Sequence, residues 1–453
     1  MKNDDLWGID KNQYSLHTTQ DILLWLEERK DNLEVHLNRV SLEECTPWYY
    51  DEEKGEIRNR QGTFFQIIGV RHTGEDGTVT EQPIILQEEI GFLGIICCKI
   101  NDVWHYLMQA KIEPGNVNCV QLSPTLQATK SNFTRQHGGA RPAFLEYFLD
   151  MSAENVLVDQ IQSEQSSRFL GKRNRNVILM VDQQIEEPVT HRWITLAQMK
   201  ELMRYDNLVN MDTRTVLSCI PYVLLGTDGD TPFKNKLYFH KTAISLDRQT
   251  IVSIYHQINH YKMFEKGKTE KVPLFSLKNW DMENGEFYCR NGSSFKIIFC
   301  DIIIEGREVS RWRQPLFAAT GIATFGLLCC DDNGILKFLV KIKPEVGCFD
   351  GVEIGPTIQT EAGSAEEQDC VRRLFWEKLG RGERVLADVI LSEEGGRFFQ
   401  EQNRNVIMLI EKEELPATIP GYVWSDYGTL NILTQINNCL NIQLRNLLSI
   451  LEI

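Results

Sequence analysis

Short apolar runs separated by turn-forming residues recur through the first half of the chain. They are rich in β-branched and aromatic side chains and are interrupted by Gly, Asp and Asn, which is the pattern of strands joined by turns. The clearest runs cover residues 64–68, 93–98, 104–112 and 176–181. Helical spacing follows the last run and continues to about Val223. Because strands come first and helices last, the pattern predicts an α+β domain with a mixed or antiparallel sheet.

Two further segments show helical periodicity. Thr18 and Thr19 can cap a helix, and an amphipathic helix is predicted around residues 251–258. The leucines after the first cap recur at roughly helical spacing and are Leu23, Leu24, Leu26, Leu33 and Leu37. His256 and His260 lie four residues apart, as in a two-histidine metal site, but no third ligand is evident. We therefore interpret this pair as solvated or interdomain and predict no metal site.

The second half of the chain repeats the first. Lys111 is matched by Lys343 and Trp48 by Trp280, each 232 residues further on. Such a repeat is far longer than the roughly 20–50 residues of a solenoid unit, so it indicates a duplicated domain. Residues kept in both halves are expected to serve the fold, and residues found in only one half are candidates for function.

The duplication predicts four regions. They are an N-terminal helical arm at 1–40, a first repeat at 41–223, a linker with the amphipathic helix at 224–271, and a second repeat at 272–453. A chain of 453 residues is also too long for a single hydrophobic core.

Charge and composition narrow the set of partners. A net charge of −15 argues against binding to nucleic acid or to an anionic membrane, since both need a positive field. It leaves room for a local arginine cluster that binds a small anion. No signal-peptide-like run follows Met1 and no stretch has the apolar length of a membrane span, so we expect a cytoplasmic protein. The twelve cysteines form no C-x-x-C pair and are expected to be reduced and mostly buried.

One strand of the first repeat carries a polar face. Gln109, Lys111 and Glu113 alternate along it and therefore point to the same side. A solvated sheet face with a Lys–Glu pair would explain them without any ligand, and Lys343 and Glu345 repeat the pair in the second half. A ligand site and a structural ion pair both remain open on this evidence.

A donor-rich segment follows this strand. Its residues are Ser131, Asn132, Phe133, Thr134 and Arg135. Hydroxyl, amide and guanidinium donors suit a diphosphate, although an ordinary polar turn has the same composition. The corresponding residues 363–367 are Gly, Ser, Ala, Glu and Glu, and these carboxylates would repel a phosphate. The comparison predicts a nucleotide-diphosphate loop in the first half and a degenerate site in the second. Arg372 and Arg373 could contribute to the ligand or could be surface charges on a helix.

Several segments resemble the NDP-hexose 2,3-dehydratases of deoxysugar biosynthesis. They are residues 48–51, 82–85, 107–116, 121–134 and 168–177. The resemblance covers nearly the whole chain, including its duplication. It implies two Nudix-like domains per chain, a homodimer, and a dTDP-linked 4-keto-6-deoxyhexose as substrate.

The same resemblance implies ligand contacts. Trp48, the segment 131–135 and, in the other half, Trp280 are expected to contact the sugar nucleotide. Further substrate-binding candidates from the matched segments and their duplicate are Gln127, Arg168 and Gln359.

The chemistry of the implied substrate suggests how water would be lost. The C4 ketone acidifies the C3 hydrogen, and departure of the C2 hydroxyl gives an enol that tautomerises to a 3,4-diketone. No redox cofactor is required, and in principle no metal. The catalytic candidates are Lys111, Glu113 and His137, with Glu113 or His137 as proton carrier and Lys111 stabilising the enolate. His137 has no counterpart in the second half, where Asp369 takes its place.

Two other function classes fit parts of the sequence. A non-catalytic sugar-nucleotide binding module, or a partner that passes an unstable diketone to an NADPH-dependent 3-ketoreductase, would keep the same ligand site. A Nudix-type pyrophosphohydrolase would need an R-E-x-x-E-E cluster to bind magnesium. Neither repeat contains that cluster, so the sequence argues against pyrophosphate hydrolysis.

Overall fold

Strands account for most of the regular structure of the chain. The computed structural model describes residues 14–62, 64–129, 142–222, 242, 245–304, 310–364 and 369–451. Within these ranges the second half repeats the order of strands and helices found in the first half. The chain is an α+β protein with an internal duplication, as its sequence predicted.

The first half contributes strands that run from the N-terminal region to the end of the first repeat. They are β1 (Val35–Val40), β2 (Trp48–Asp51), β3 (Glu56–Asn59), β4 (Gln66–Thr73), β5 (Val79–Leu86), β6 (Gly91–Ile100), β7 (Val103–Ile112), β8 (Val120–Ser123), β9 (Leu126–Ala128), β10 (Val156–Ser163), β11 (Arg173–Met180) and β12 (His191–Thr195). The helices are α1 (Thr19–Asp31), α2 (Leu145–Leu149), α3 (Leu196–Leu202) and α4 (Met211–Ser218).

The second half follows the same plan. Its strands are β13 (Lys268–Val272), β14 (Trp280–Glu283), β15 (Glu286–Cys289), β16 (Phe295–Ile304), β17 (Arg311–Ala319), β18 (Ala323–Asp332), β19 (Ile335–Pro344), β20 (Val352–Gly355), β21 (Ile358–Thr360), β22 (Val385–Ser392), β23 (Phe398–Phe399), β24 (Gln402–Ile410) and β25 (Tyr422–Asp426). Its helices are α5 (Arg248–Phe264), α6 (Cys370–Arg381), α7 (Tyr427–Leu433) and α8 (Ile442–Ile450), with 3-10 turns at Leu274–Ser276 and Lys412–Glu414.

Both helices predicted outside the repeats are present. Thr18 caps α1, because its side chain accepts a hydrogen bond from the backbone N–H of Asp21 while the Asp21 carboxylate accepts one from the N–H of Thr18 at 2.9 Å. The buried residues of α1 are Ile22, Trp25 and Leu26. The helix is shorter than the leucine spacing predicted, since it ends at Asp31 and Leu37 lies in β1. None of the helices in the described ranges combines the length and apolar character needed to cross a bilayer.

Each half contains one large mixed sheet. The strand order is β10-β11-β6-β7-β12 in the first half and β22-β24-β18-β19 in the second, where β20 and β25 both pair with β19. The pairs β6–β11 and β18–β24 are parallel, and the neighbouring pairs are antiparallel. Short strands β9 and β21 pair with β6 and β18 at equivalent places of the two sheets.

The smaller sheets exchange strands between the halves. β1 precedes the first repeat but pairs with β16 of the second, and β13 precedes the second repeat but pairs with β4 of the first. Each repeat therefore completes a sheet of the other. The predicted boundaries of the four regions remain predictions, and the pairing of β1 shows that the predicted helical arm also contains a strand.

Buried cations connect the halves through main-chain carbonyl groups. Arg214 on α4 donates to the carbonyl oxygen of Ser392 at 2.6 Å, and Arg445 on α8 donates to that of Ser163. The two helices pack against each other, and both arginines are almost fully buried. Each guanidinium thus anchors the start of a loop that belongs to the other repeat.

These two loops cross between the repeats in opposite directions. We call residues 163–172 the first exchanged loop and residues 392–401 the second exchanged loop. The N–H of Gly171 donates to the carbonyl of Gly347 at 2.8 Å, and the N–H of Gly115 donates to that of Gly395 at 2.8 Å. A side chain at Gly115 or Gly347 would overlap a carbonyl oxygen of the facing loop. Glycine is needed there for close backbone approach.

We expect the substitution Gly347→Ala to destabilise the protein. Its Cβ would overlap the carbonyl oxygens of Ser166 and Phe169, so the exchanged loop must shift, at a cost of about 1–3 kcal/mol or more. The measurement is the free energy of unfolding by urea, followed by circular dichroism. Gly380→Ala is the control, because that position in α6 has open space around it. The control should be neutral or stabilising by about 0.5–1 kcal/mol. Equal losses in both variants would contradict the close-packing argument.

Candidate active site

A cavity of about 810 Å³ lies between the first repeat and elements of the second. Its lining includes residues of β6, β7 and β9 and residues of β17 and the second exchanged loop. The charged residues in its lining are Arg29, Lys111, Glu113, Lys172, Asp212, Asp301, Arg311, Arg313, Glu394 and Arg397. These are six cations and four carboxylates, so the cavity carries a positive excess inside a protein of net charge −15. The cavity is therefore suited to an anionic ligand.

The polar face predicted on β7 lies in the cavity lining. The Nζ of Lys111 is 3.1 Å from Oε1 of Glu113, and Gln127 on β9 donates to the same oxygen at 3.3 Å. The other carboxylate oxygen of Glu113 accepts from the backbone N–H of Gly395 at 3.0 Å. These donors favour the ionised carboxylate. Lys111 and Glu113 thus form an ion pair at a cavity wall, a geometry that suits both interpretations left open above.

The second exchanged loop brings a charged pair into the cavity. Arg397 lies 3.1 Å from the carboxylate of Glu394 and donates to Gln87 at 3.1 Å, while its guanidinium stacks over the ring of Phe169 at 5.3 Å. Burial raises the pKa of Glu394 to about 7, although Arg397 opposes the shift. A site built on first-repeat strands is thereby completed by a loop from the second repeat.

Lys172 adds a cation with an unusual environment. It is buried, and its amine donates to the carbonyl of Glu89 at 2.6 Å. Burial, aided by the neighbouring Arg397, lowers the pKa of Lys172 to about 8. Its charge is therefore retained at neutral pH and lost in mildly alkaline solution.

Asp212 carries a buried carboxyl group with no hydrogen-bond partner among the residues that the structure describes. It lies in the first turn of α4, is 2% exposed, and lines the cavity. Neither of its carboxylate oxygens has a hydrogen-bond partner within the described part of the chain. Burial holds the pKa of Asp212 well above its usual range, and the carboxylates of Glu164, Glu394 and Glu113 raise it further. The group therefore favours its protonated form.

Arginines on β17 form one rim of the cavity. Arg311 and Arg313 lie 2.6 and 3.5 Å from the carboxylate of Asp301, with Trp312 between them in sequence. The indole N–H of Trp48 donates to the carbonyl of Arg313 at 2.8 Å and so joins this rim to β2. At the equivalent place in the first repeat, residues 79–81 are Val, Thr and Glu. The cationic rim is thus a feature of this cavity and is not repeated in the sequence of the other half.

The equivalent region of the second repeat carries two carboxylates that the first lacks. Arg168, the counterpart of Arg397, lies 2.9 Å from Glu361 and 3.7 Å from Glu401. Glu361 stands where the first half has Thr129, and Glu401 stands where it has Lys172. The arginine is therefore paired within the protein.

The other predicted residues are distributed between the two regions. Trp48, Lys111, Glu113 and Gln127 line the cavity. Gln359 donates to Glu345 at 2.8 Å, and the indole N–H of Trp280 donates to the carbonyl of Glu81 at 3.3 Å, so both belong to the second region with Arg168. Arg372 is buried at the start of α6 near Asp369, and Arg373 is exposed.

The predicted diphosphate loop and His137 cannot be placed. Ser131, Asn132, Phe133, Thr134, Arg135 and His137 lie outside the described residues. Thr129, which precedes these residues in the chain, lines the cavity. Pro142, which follows them, lines it too.

Sequence reasoning missed several charged groups of the cavity. They are Asp212, Lys172, Arg397, Glu394 and the arginines of β17. A signal for them was present in the comparison of the halves, since Asp212 is replaced by Gln443 and Lys172 by Glu401. These differences did not point to a site, because nothing in the sequence indicated that loops from the other repeat reach the same cavity.

Comparisons with known proteins agree over nearly the whole chain. The family model for NDP-hexose 2,3-dehydratase matches residues 19–220 and again residues 252–451. A dTDP-4-dehydro-6-deoxy-α-D-glucopyranose 2,3-dehydratase of Streptomyces violaceoruber is 35% identical over 433 residues, covering 94% of this chain and 95% of that protein. Proteins with the same name from Saccharopolyspora spinosa and Amycolatopsis orientalis are 35% and 33% identical. They match 96% and 95% of this chain, and 91% and 89% of their own lengths.

The raised pKa of Glu394 predicts a pH dependence of stability. Between the ordinary value of 4.5 and about 7, the folded protein keeps this proton while the unfolded chain releases it, so stability falls as pH rises through this window. Replacement by Gln removes the titration. The unfolding free energy of the wild type minus that of Glu394→Gln should therefore fall by on the order of 1–3 kcal/mol between about pH 5 and pH 8.

Urea unfolding at several pH values measures this difference. Glu88→Gln serves as the control, because Glu88 is exposed. A difference for Glu394→Gln that does not change with pH would show that this carboxyl titrates normally.

Proposed function

The chain belongs to the NDP-hexose 2,3-dehydratase family, and from this premise we propose that it is a lyase acting on a dTDP-linked 4-keto-6-deoxyhexose. The reaction removes water across C2 and C3 and yields a dTDP-3,4-diketo-2,6-dideoxyhexose, an early step of deoxysugar biosynthesis. The substrate comes from the names of the relatives, and each of them matches this chain over nearly its full length.

The observation that carries the proposed site is the positive excess of the cavity. A nucleotide diphosphate is negatively charged. This charge can be offset by Arg29, Arg311, Arg313 and Lys172. Arginine is well suited to this task because its planar fork of donors matches phosphate oxygens. In the second region Glu361 and Glu401 take the place of Thr129 and Lys172, which supports a single active site in the first half. The Ser131–Arg135 segment remains our proposed source of further phosphate contacts.

The catalytic assignments rest on the groups around the β7 ion pair. A base removes the C3 proton, Lys111 stabilises the enolate oxygen at C4, and the C2–O bond breaks as an acid protonates the leaving hydroxyl. We propose Glu113 or His137 as the base. Glu113 is suited to the role of the base, because Lys111, Gln127 and the N–H of Gly395 stabilise its ionised form. Trp48 and Phe133 are proposed to stack on the base or the sugar.

Further features of the proposal follow from the family. We propose two Nudix-like repeats, a homodimer, and a cytoplasmic enzyme that works without a cofactor. The diketone product is reactive, so we also propose functional coupling to an NADPH-dependent 3-ketoreductase that consumes it.

Turnover of the sugar nucleotide tests the proposed function. Purified protein incubated with dTDP-4-keto-6-deoxyglucose, a 3-ketoreductase and NADPH should give a product that lacks the C2 hydroxyl, detected by mass spectrometry and NMR. Omission of the protein is the control, and addition of EDTA should leave the rate unchanged. Binding by calorimetry without turnover would instead indicate a non-catalytic module.

The rim arginines should contribute to affinity. Arg311→Ala is expected to weaken dTDP binding by roughly tenfold, about 1.4 kcal/mol, because one charge-assisted contact to phosphate is lost. Arg290→Ala is a matched control: Arg290 is 54% exposed and pairs with Asp281, while Arg311 is 59% exposed and pairs with Asp301. Isothermal calorimetry with dTDP measures both variants. If Arg311→Ala and Arg290→Ala bind dTDP with equal affinity, Arg311 does not belong to the nucleotide site. Arg135→Ala tests the predicted loop in the same way.

A further inference from the structure

Asp212 combines three features, of which its neutral counterpart Gln443 shares only burial and the lack of hydrogen-bond partners within the described ranges. Its carboxyl is buried, it lines the cavity, and both of its oxygens lack hydrogen-bond partners within the described ranges. A buried polar group without partners is costly, so its retention calls for an explanation. Its neighbours Asn210 and Thr213 supply the cap of α4, and the cap does not use Asp212.

The duplicate separates this residue from the requirements of the fold. Asn210 and Arg214 of α4 are matched by Asn441 and Arg445 of α8, each 231 residues further on. Both asparagines cap their helices in the same way. The position of Asp212 is taken by a neutral residue, Gln443, in the second repeat. A helix of this kind therefore forms without the carboxyl group.

We propose that Asp212 is the general acid that protonates the C2 hydroxyl as it leaves. This inference rests on the proposed function and assigns one step of it. Glu113 and Asp212 divide the two proton transfers, because their surroundings differ. Glu113 receives hydrogen bonds from Lys111, Gln127 and Gly395, which favour the ionised form. Within the described residues Asp212 has no hydrogen-bond donor, and its burial beside the carboxylates of Glu164, Glu394 and Glu113 outweighs the opposing charge of Lys111 and favours the protonated form.

The step balances without any further reactant. The base takes the proton from C3, and the electron pair of that bond forms the C3=C4 enolate. The enolate pair then forms the C2=C3 bond while the C2–O bond breaks, and the proton of Asp212 converts the departing hydroxide to water. The enol at C3 finally gives its proton up and C2 gains one, which yields the 3,4-diketone. Asp212 ends ionised and recovers a proton before the next turnover.

The experiment compares Asp212→Asn with the wild type on two substrates. On dTDP-4-keto-6-deoxyglucose, loss of a general acid should lower the dehydration rate by about 10²–10⁴-fold. The second substrate carries fluorine in place of the C2 hydroxyl. Fluoride departs as an anion and does not need a proton, so the variant should release it within about tenfold of the wild-type rate. An ion-selective electrode records the fluoride.

Two controls separate chemistry from folding. Gln443→Asn alters the matched position in the second repeat and should dehydrate at the wild-type rate. Asp212→Asn should keep its affinity for dTDP, measured by calorimetry. In deuterium oxide, the variant should still exchange the C3 hydrogen of the natural substrate, because proton removal at C3 does not need the acid.

The outcomes are distinct. Dehydration at the wild-type rate by Asp212→Asn, or fluoride release and C3 exchange that fall as far as dehydration, would overturn the assignment of Asp212. A wild-type protein that dehydrates nothing would instead refute the proposed function. Loss of dehydration with retained fluoride release and C3 exchange supports Asp212 as the acid.

Discussion

Close backbone contact between the two exchanged loops and the opposite repeats is the constraint on which the structure depends. Gly115 and Gly347 lie against carbonyl groups of these loops, where a methyl group has no room. Arg214 and Arg445 hold the starts of the same loops through main-chain carbonyls. The strands β1 and β13 are exchanged in the same reciprocal manner. Neither repeat therefore completes its sheets or its cavity alone.

This reciprocity explains how a duplicated domain acquired two different regions. Each region combines strands of one repeat with an arginine from the other, Arg397 in the first and Arg168 in the second. The framework is the same, so single substitutions change the charge without changing the fold. In the second region Glu361 and Glu401 pair with Arg168, whereas in the first region Thr129 and Lys172 take their places and Arg397 pairs with Glu394.

Burial gives the charged groups of the cavity their chemical character. In water a carboxyl and an amine would both be ionised at neutral pH, but desolvation favours the neutral form of each. It raises the pKa of Glu394 to about 7 and lowers that of Lys172 to about 8. Within the described residues Glu113 has donors to both carboxylate oxygens, whereas the carboxyl group of Asp212 has none. One cavity thereby holds carboxyl groups in different electrostatic surroundings.

The sequence by itself determined the α+β class, the duplication and the polar face of β7. Alternation along a strand and a constant offset between halves are local or periodic patterns, and both can be read without coordinates. It also indicated the family, through motifs spread along the chain. Only the tertiary structure decided which half completes which cavity. Gly395 and Glu113 form a hydrogen bond although they are 282 residues apart in the sequence. The surroundings of Asp212 were decided there too, since the hydrogen-bond partners that a buried group has within the described ranges depend on every neighbouring element.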